Sequence, residues 1–154
     1  MKKKLTCAGL ALLVLLALLQ LTNPARTNPP VKADFIATLQ PPAPVAGELV
    51  SCCYDCHSYQ TQWPWYARVA PVSWLIVSDV NKGRQHLNLS EWPATDAKRA
   101  VRRLEEMSDQ IGDGVMPPAK YTAIHAGARL TASQRKVLTD WLDAQSDALS
   151  SSNH

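Results

Sequence analysis

The chain has one cluster of chemically reactive side chains, in which three cysteines lie within five positions directly before a histidine. In Cys53-Tyr54-Asp55-Cys56-His57, two thiols stand three positions apart and an imidazole follows the second thiol. This spacing allows thioether bonds to two vinyl groups of one porphyrin, and it forces the adjacent imidazole beneath the iron. The sequence therefore predicts one covalently bound haem c, with Cys53 and Cys56 as its tethers and His57 as the proximal iron ligand.

Other sites also use a Cys-x-x-Cys pair, but their context is missing. A zinc knuckle needs a second ligand pair, and the remaining histidines, His86, His125 and His154, are not at zinc-finger spacing. A thioredoxin-like redox pair needs a strand-helix-strand setting, which the sequence around the motif does not predict. Cys52 offers a longer Cys-x-x-x-Cys-His register, or a disulfide in an oxidising compartment. We expect it to be a small buried residue beside the haem.

The opposite face of the iron has several candidate ligands. Met116 is favoured because it precedes a proline in the segment 112–118, which cannot be helical and which drives Met116 to an extended conformation. His125, His86 or an open site for a small molecule are the alternatives. We expect His125 to hydrogen-bond a carbonyl or a haem propionate. The order, with the ligand methionine about sixty residues after the motif, resembles that of small class I cytochromes c.

Aromatic and basic residues follow the motif. The rings of residues 63–66 could cover a macrocycle, although ordinary core packing is an equal alternative. Arg68 and Arg84 could pair with haem propionates, because a guanidinium binds a carboxylate bidentately.

The scaffold that must position these residues is predicted to be all-α. Helical periodicity places Val72, Leu75, Ile76 and Val80 on one face of a helix that runs from about Ala70 to His86. A second helix, capped by Thr95 or Asp96, has an apolar face formed by Ala97, Ala100, Val101, Leu104, Met107 and Ile111. A third begins with a capping box at 131–134 and buries Val137, Leu138, Trp141 and Leu142. The class expected is a small helical domain like class I cytochrome c.

The N-terminus predicts export. Three lysines precede an apolar stretch of about 17 residues, Leu5 to Leu21. Cleavage remains an alternative, but no clear cleavage site follows, so we expect an uncleaved membrane anchor over 1–22. The basic flank favours a cytoplasmic N-terminus and a haem domain in the periplasm or extracytoplasmic space.

Proline density marks the next segment. Six of the eleven prolines lie between residues 23 and 46, which predicts either a semi-rigid linker or a segment packed along the domain. The haem-binding domain then spans 47–147, followed by a disordered tail over 148–154.

Charge excludes one class of partner. The chain has 16 Lys and Arg against 13 Asp and Glu, and four of the basic residues lie in the first 26 positions. The exported part is therefore near neutral, without the basic excess that nucleic acid requires. We expect no nucleic-acid binding.

The residues together resemble a bacterial family of haem-binding domains, short membrane-anchored proteins with one Cys-x-x-Cys-His. The resemblance rests on the segments Arg26–Val31, Cys53–Ser58, Trp63–Tyr66, Ala70–Trp74, Gly83-Arg84, Met116–Pro118 with Tyr121, and on Pro24, Asn88, Trp92, His125, Leu130 and Trp141. It implies covalent haem, an exported location and an uncleaved anchor. Cys52 departs from the pattern.

One haem, a methionine ligand and no further catalytic constellation favour a membrane-tethered electron carrier and not an enzyme. Its redox partner protein is not specified by the sequence. The alternatives are a haem-based small-molecule sensor or accessory subunit, and, less favoured, a peroxidase-type enzyme. A dihaem peroxidase would need a second Cys-x-x-Cys-His, which the chain lacks.

Overall fold

The computed structural model describes residues 2–152, and within that range the chain forms helices and no β-strand. The α-helices are α1 Lys2–Gln20, α2 Phe35–Leu39, α3 Ala43–Leu49, α4 Asp55–His57, α5 Val72–His86, α6 Ala97–Gly112, α7 Ala119–Thr122 and α8 Ala132–Ser151. A π-helical segment spans Val50–Tyr54, and 3₁₀ turns span Trp65–Arg68 and Ala126–Ala128. The prediction of an all-α protein is confirmed.

Helix α1 forms where the sequence predicts the export segment. Several of its leucines are exposed, and Leu10 and Leu13 are about two-thirds exposed. Among residues 2–152, no helix combines the length and the apolar character needed to cross a membrane.

The proline-rich segment packs along the domain, which is the second of the two alternatives predicted for it. Phe35 is fully buried, and its ring stands edge-on to Trp92 at 4.6 Å and to Trp141 at 6.0 Å. Val45 is buried in the same core. Apolar side chains between the prolines provide burial that outweighs the stiffness of this part of the chain.

Helices α6 and α8 pack against each other, and both contribute side chains to the hydrophobic core. Asp96 caps α6 through the backbone N–H of Arg99 at 3.0 Å, and Thr131 and Gln134 form the predicted capping box of α8. The predicted apolar face of α6 is buried at Ala100, Leu104, Met107 and Ile111. On α8, Leu138 and Leu142 are buried, but Val137 is half exposed.

Helix α5 has the predicted bounds but not the predicted buried face. Ser73, Val77 and Val80 are buried, whereas Val72 and Leu75 are exposed.

Small residues explain this rotation of α5. The Ser73 hydroxyl donates a hydrogen bond to the Asn23 side chain, and Gly83 lies against the backbone of Cys56. Helix α5 therefore turns Ser73 and Gly83 toward Asn23 and the motif helix, because small residues allow the backbones to approach closely.

The C-terminal helix is longer than predicted. Helix α8 continues to Ser151, inside the tail predicted to be disordered, and the last two positions, 153 and 154, lie outside the described residues. The helix formers Gln145, Ala148 and Leu149 follow the buried Leu142, and Ser146 is itself buried. Packing therefore extends the helix beyond the domain limit set at 147.

Candidate functional site

The cysteine motif lies on a continuous helical stretch from α3 through the π segment to α4. The π segment Val50–Tyr54 contains Cys52 and Cys53, and α4 contains Cys56 and His57. A π turn accommodates an extra residue in a helix and occurs frequently at functional sites. The helix carries both thiols three positions apart, so they lie on one side of it.

Both motif thiols are free in the folded chain. Cys53 packs against the hydrophobic core. Burial raises the pKa of the Cys53 thiol to about 12 and that of the Cys56 thiol to about 11. Both are therefore protonated at neutral pH, and because a thiolate is the species that attacks in disulfide exchange, burial disfavours a disulfide between them.

The backbone and the ring of His57 are both held by the segment that follows α5. The His57 Nδ1–H donates to the Leu87 carbonyl at 3.1 Å, and the His57 carbonyl accepts from the Leu89 N–H at 2.7 Å. Burial lowers the pKa of His57, so the ring is neutral at physiological pH. Engagement of Nδ1 leaves Nε2 as the ring nitrogen for a metal, and such a second hydrogen bond orients metal-binding histidines.

Gly83 brings α5 into contact with the motif helix. A Cβ at this position would lie 2.5 Å from the Cys56 carbonyl oxygen and 3.0 Å from the carbonyl carbon. Only glycine allows the two backbones to approach so closely. This contact lies one helical turn before Leu87, so it supports the segment that holds His57.

Cys52 has neighbours of its own. It is buried, and its Sγ donates to the Ala128 carbonyl at 3.4 Å, with the Glu48 carboxylate at 3.9 Å. Burial raises the pKa of this thiol as well. The surroundings are those of a buried structural cysteine that fastens the 3₁₀ turn Ala126–Ala128 to the motif helix.

Met116 lies in the loop between α6 and α7 and is half buried against the same hydrophobic core as Cys53. Its backbone N–H donates to the Gln110 carbonyl at 2.9 Å. The side chain of Arg135 donates to the carbonyls of Ile111 and Met116. The loop is thus fixed at its α6 end.

The short helix α7, which follows Met116, is tied to the cysteine motif. The Tyr121 hydroxyl donates to the Asp55 carboxylate at 2.9 Å, and Asp55 stands between the two motif cysteines. Burial and the neighbouring carboxylate raise the pKa of Tyr121, so the phenol keeps its proton. Lys120 forms an exposed ion pair with Asp79 of α5 at 2.7 Å.

His125 uses both ring nitrogens within the protein. Its Nδ1–H donates to the Tyr121 carbonyl at 3.1 Å, and its Nε2 accepts from the Tyr66 hydroxyl at 2.9 Å. The ring also stacks on that of Tyr121 with centroids 4.1 Å apart. These contacts match the expected hydrogen bond to a carbonyl. His86, the other histidine considered, is exposed at the end of α5.

Arg84 is occupied by the protein itself. Its guanidinium donates to the carbonyls of Ser58 and Thr27 and to the side chains of Asn28 and Thr61, at 2.7 to 2.9 Å. An arginine has five N–H donors, so little capacity is left for a propionate. Arg84 instead joins the segment before α2 to the loop after the motif.

The aromatic residues after the motif have separate surroundings. The Trp63 indole N–H donates to the Asn28 side chain at 3.2 Å, and Trp65 is 75% exposed. Arg68, the second predicted propionate partner, is exposed.

The donor atoms, and not a cavity, define the candidate site. Two cavities of about 160 and 430 Å³ lie at other places, the first beside His86 and the second between Trp74 and Lys82. Neither is lined by the motif residues or by Met116. Two protonated thiols on one side of a helix and a neutral, oriented imidazole nevertheless fit the covalent attachment and proximal ligation of haem.

Gly83, Asp55 and Tyr121 contribute to the site, although sequence reasoning assigned them no role. An isolated glycine inside a helical pattern indicates close packing, and this signal could have identified Gly83. The pairing of Asp55 with Tyr121 joins residues 66 positions apart and has no local signal.

Comparison with known proteins gives one result. A family model described as "Haem-binding domain" matches residues 14–144, which is most of the chain. No curated protein and no solved structure matches it. The family resemblance of the sequence is therefore confirmed.

Proposed function

We propose, from the premise that this chain belongs to the haem-binding domain family, that it carries a single haem c and transfers electrons. Cys53 and Cys56 form the thioether tethers, His57 is the proximal iron ligand and Met116 is the distal ligand. The proposed arrangement is that of a class I cytochrome c.

The observation that carries this proposal is the state of the three motif side chains. Two free thiols stand at the spacing of a c-type attachment site, and the Leu87 carbonyl holds the neighbouring imidazole by Nδ1. A haem iron supplies reversible one-electron chemistry when bound. The chain's part is to orient the imidazole through the hydrogen bond from Nδ1–H to the Leu87 carbonyl.

A thioether ligand favours an electron carrier. Met116 is partly buried and packs against the same hydrophobic core as Cys53, which supports this choice of ligand. Methionine ligation stabilises ferrous iron and raises the potential. We propose that the protein is not an enzyme and that it exchanges electrons with a redox partner protein.

We further propose that the haem domain works at the outer face of the cytoplasmic membrane, brought there by the N-terminal segment. The basic n-region and the exposed leucines of α1 support this location. Protease treatment of spheroplasts tests it. Degradation of the domain without lysis is expected, and protection until lysis would refute the location.

Covalent attachment is tested by a haem-stained denaturing gel of single variants. Cys53→Ala and Cys56→Ala should each lose most of the stain, and the double variant all of it. Cys52→Ala is the matched control, since its thiol contacts the Ala128 carbonyl, and it should keep the stain. Stain retained by the double variant, or lost only in Cys52→Ala, would refute the assignment.

Spectra distinguish the electron carrier from the sensor. A methionine–ferric haem bond gives a weak far-red band, which Met116→Ala should abolish. A band that persists in Met116→Ala would refute this ligand. Ready binding of carbon monoxide by the ferrous wild type would favour the small-molecule sensor.

A further inference from the structure

We propose that Asp55, Tyr121, His125 and Tyr66 form a latch that positions Met116 and sets how easily it can be displaced from the iron. These four residues are positioning residues, since none is assigned as an iron ligand. The inference rests on the proposed function, because it assumes Met116 ligation.

The latch is a chain of contacts across three elements. Tyr121 of α7 donates to Asp55 in the motif helix at 2.9 Å. The Tyr121 carbonyl accepts from His125 at 3.1 Å, and His125 accepts from Tyr66 at 2.9 Å. The stacked rings of Tyr121 and His125, 4.1 Å apart, complete it.

The position of α7 in the chain makes this a latch on Met116. Only Pro117 and Pro118 separate Met116 from α7, and two prolines transmit position because their φ angles are fixed. The other side of Met116 is held by its N–H bond to the Gln110 carbonyl. A displacement of the Met116 backbone is therefore passed on to α7, and the hydrogen bond between Tyr121 and Asp55 resists that displacement.

Asp55 is well placed for this task. Its other carboxylate oxygen accepts from the Gln62 N–H at 2.8 Å, so the carboxylate is fixed on both sides. Asp55 lies between the two tethering cysteines in the sequence, so the latch joins α7 directly to the proposed attachment site. Hydrogen bonds to a charged acceptor are stronger than neutral ones.

The latch also explains His125. Both of its ring nitrogens are used, which removes it as a competing iron ligand while Tyr66 and the Tyr121 carbonyl remain in place. Its stacking on Tyr121 stiffens α7.

Imidazole titration of the ferric full-length protein tests the latch. Imidazole competes with Met116, so its apparent affinity rises when Met116 is displaced more easily. Tyr121→Phe removes the hydroxyl and keeps the ring, and the apparent affinity should rise by about tenfold, the scale of one lost charge-assisted hydrogen bond.

Two control variants separate the latch from general destabilisation. Tyr54→Phe removes a similar tyrosine–carboxylate hydrogen bond, to Asp34 at 3.2 Å, on the side of the motif helix that faces α2. Lys120→Gln removes the exposed ion pair that joins α7 to α5. Each should change the imidazole affinity less than threefold. An equal rise in Tyr54→Phe and Tyr121→Phe would overturn the latch.

A double-mutant cycle decides whether Tyr121 acts through Met116. In the Met116→Ala background, Tyr121→Phe should leave the imidazole affinity unchanged. A tenfold effect in that background would overturn the proposal. If Tyr121→Phe does not fold, Tyr66→Phe opens the far end of the latch, and a rise of threefold or more is then expected. An unchanged affinity in the variant tested refutes the latch and leaves haem attachment intact, whereas a wild type without covalent haem refutes the proposed function itself.

Discussion

Substitution of Gly83 by alanine should destabilise the contact on which the motif helix rests. The added Cβ would lie 2.5 Å from the Cys56 carbonyl oxygen, and an ordinary contact begins near 3.4 Å, so one backbone must retreat by almost 1 Å. The obstructing atom belongs to the backbone, and no side-chain rotation relieves it. Overpacking of this kind costs about 1–3 kcal/mol.

Alanine also gains helix propensity, which offsets about 1 kcal/mol of that cost. The expected net loss is about 0–2 kcal/mol relative to the wild type, or a fall in Tm of up to roughly 8 °C for a chain of this length. Gly47→Ala on α3 is the matched control, since nothing lies within 4 Å of its added Cβ. That variant should be as stable as the wild type or slightly more so.

Thermal and urea unfolding followed by circular dichroism measure both variants. The shift of the motif helix should also weaken the two hydrogen bonds that His57 makes with Leu87 and Leu89. Because the Leu89 N–H donates to the His57 carbonyl, hydrogen exchange of the Leu89 amide should be faster in Gly83→Ala. A Gly83→Ala protein as stable as Gly47→Ala would contradict this prediction, because the close approach of the two backbones would then be absent in solution.

Three further substitutions test the scaffold. Arg84→Lys should lower the free energy of unfolding by about 2–3 kcal/mol, because lysine cannot satisfy four separated acceptors, and an unchanged urea midpoint would show that these hydrogen bonds contribute nothing. Thr131→Ala should cost about 1 kcal/mol through loss of the α8 capping box, whereas Ser133→Ala, two positions later and without that bond, should cost little. Phe35→Ala should lower the free energy of unfolding by about 3–5 kcal/mol, because the ring is fully buried between Trp92 and Trp141. A loss below about 1 kcal/mol in urea unfolding would indicate that residues 23–46 do not pack on the domain.

Local patterns predicted the helices well. The bounds of α5, the Asp96 cap of α6 and the capping box of α8 follow from residues that lie next to one another in sequence. The family assignment followed from short motifs. These features depend on local propensity and spacing, which a single sequence contains.

Features set by distant contacts were missed. The buried face of α5 is fixed by Asn23 and by the motif helix, and an apolar periodicity does not register the small residues that meet them. Phe35 appeared to belong to a spacer because its partners, Trp92 and Trp141, lie far away in the chain. The hydrogen bonds of Arg84 were missed for the same reason, since its acceptors come from two separate loops.

The most direct test of covalent haem attachment is mass spectrometry of a peptide from the purified protein that spans the motif. One haem is expected on this peptide, bonded to both Cys53 and Cys56, with Cys52 recovered as an alkylated free thiol. Recovery of all three cysteines as alkylated thiols, or of haem bonded to Cys52, would contradict this expectation.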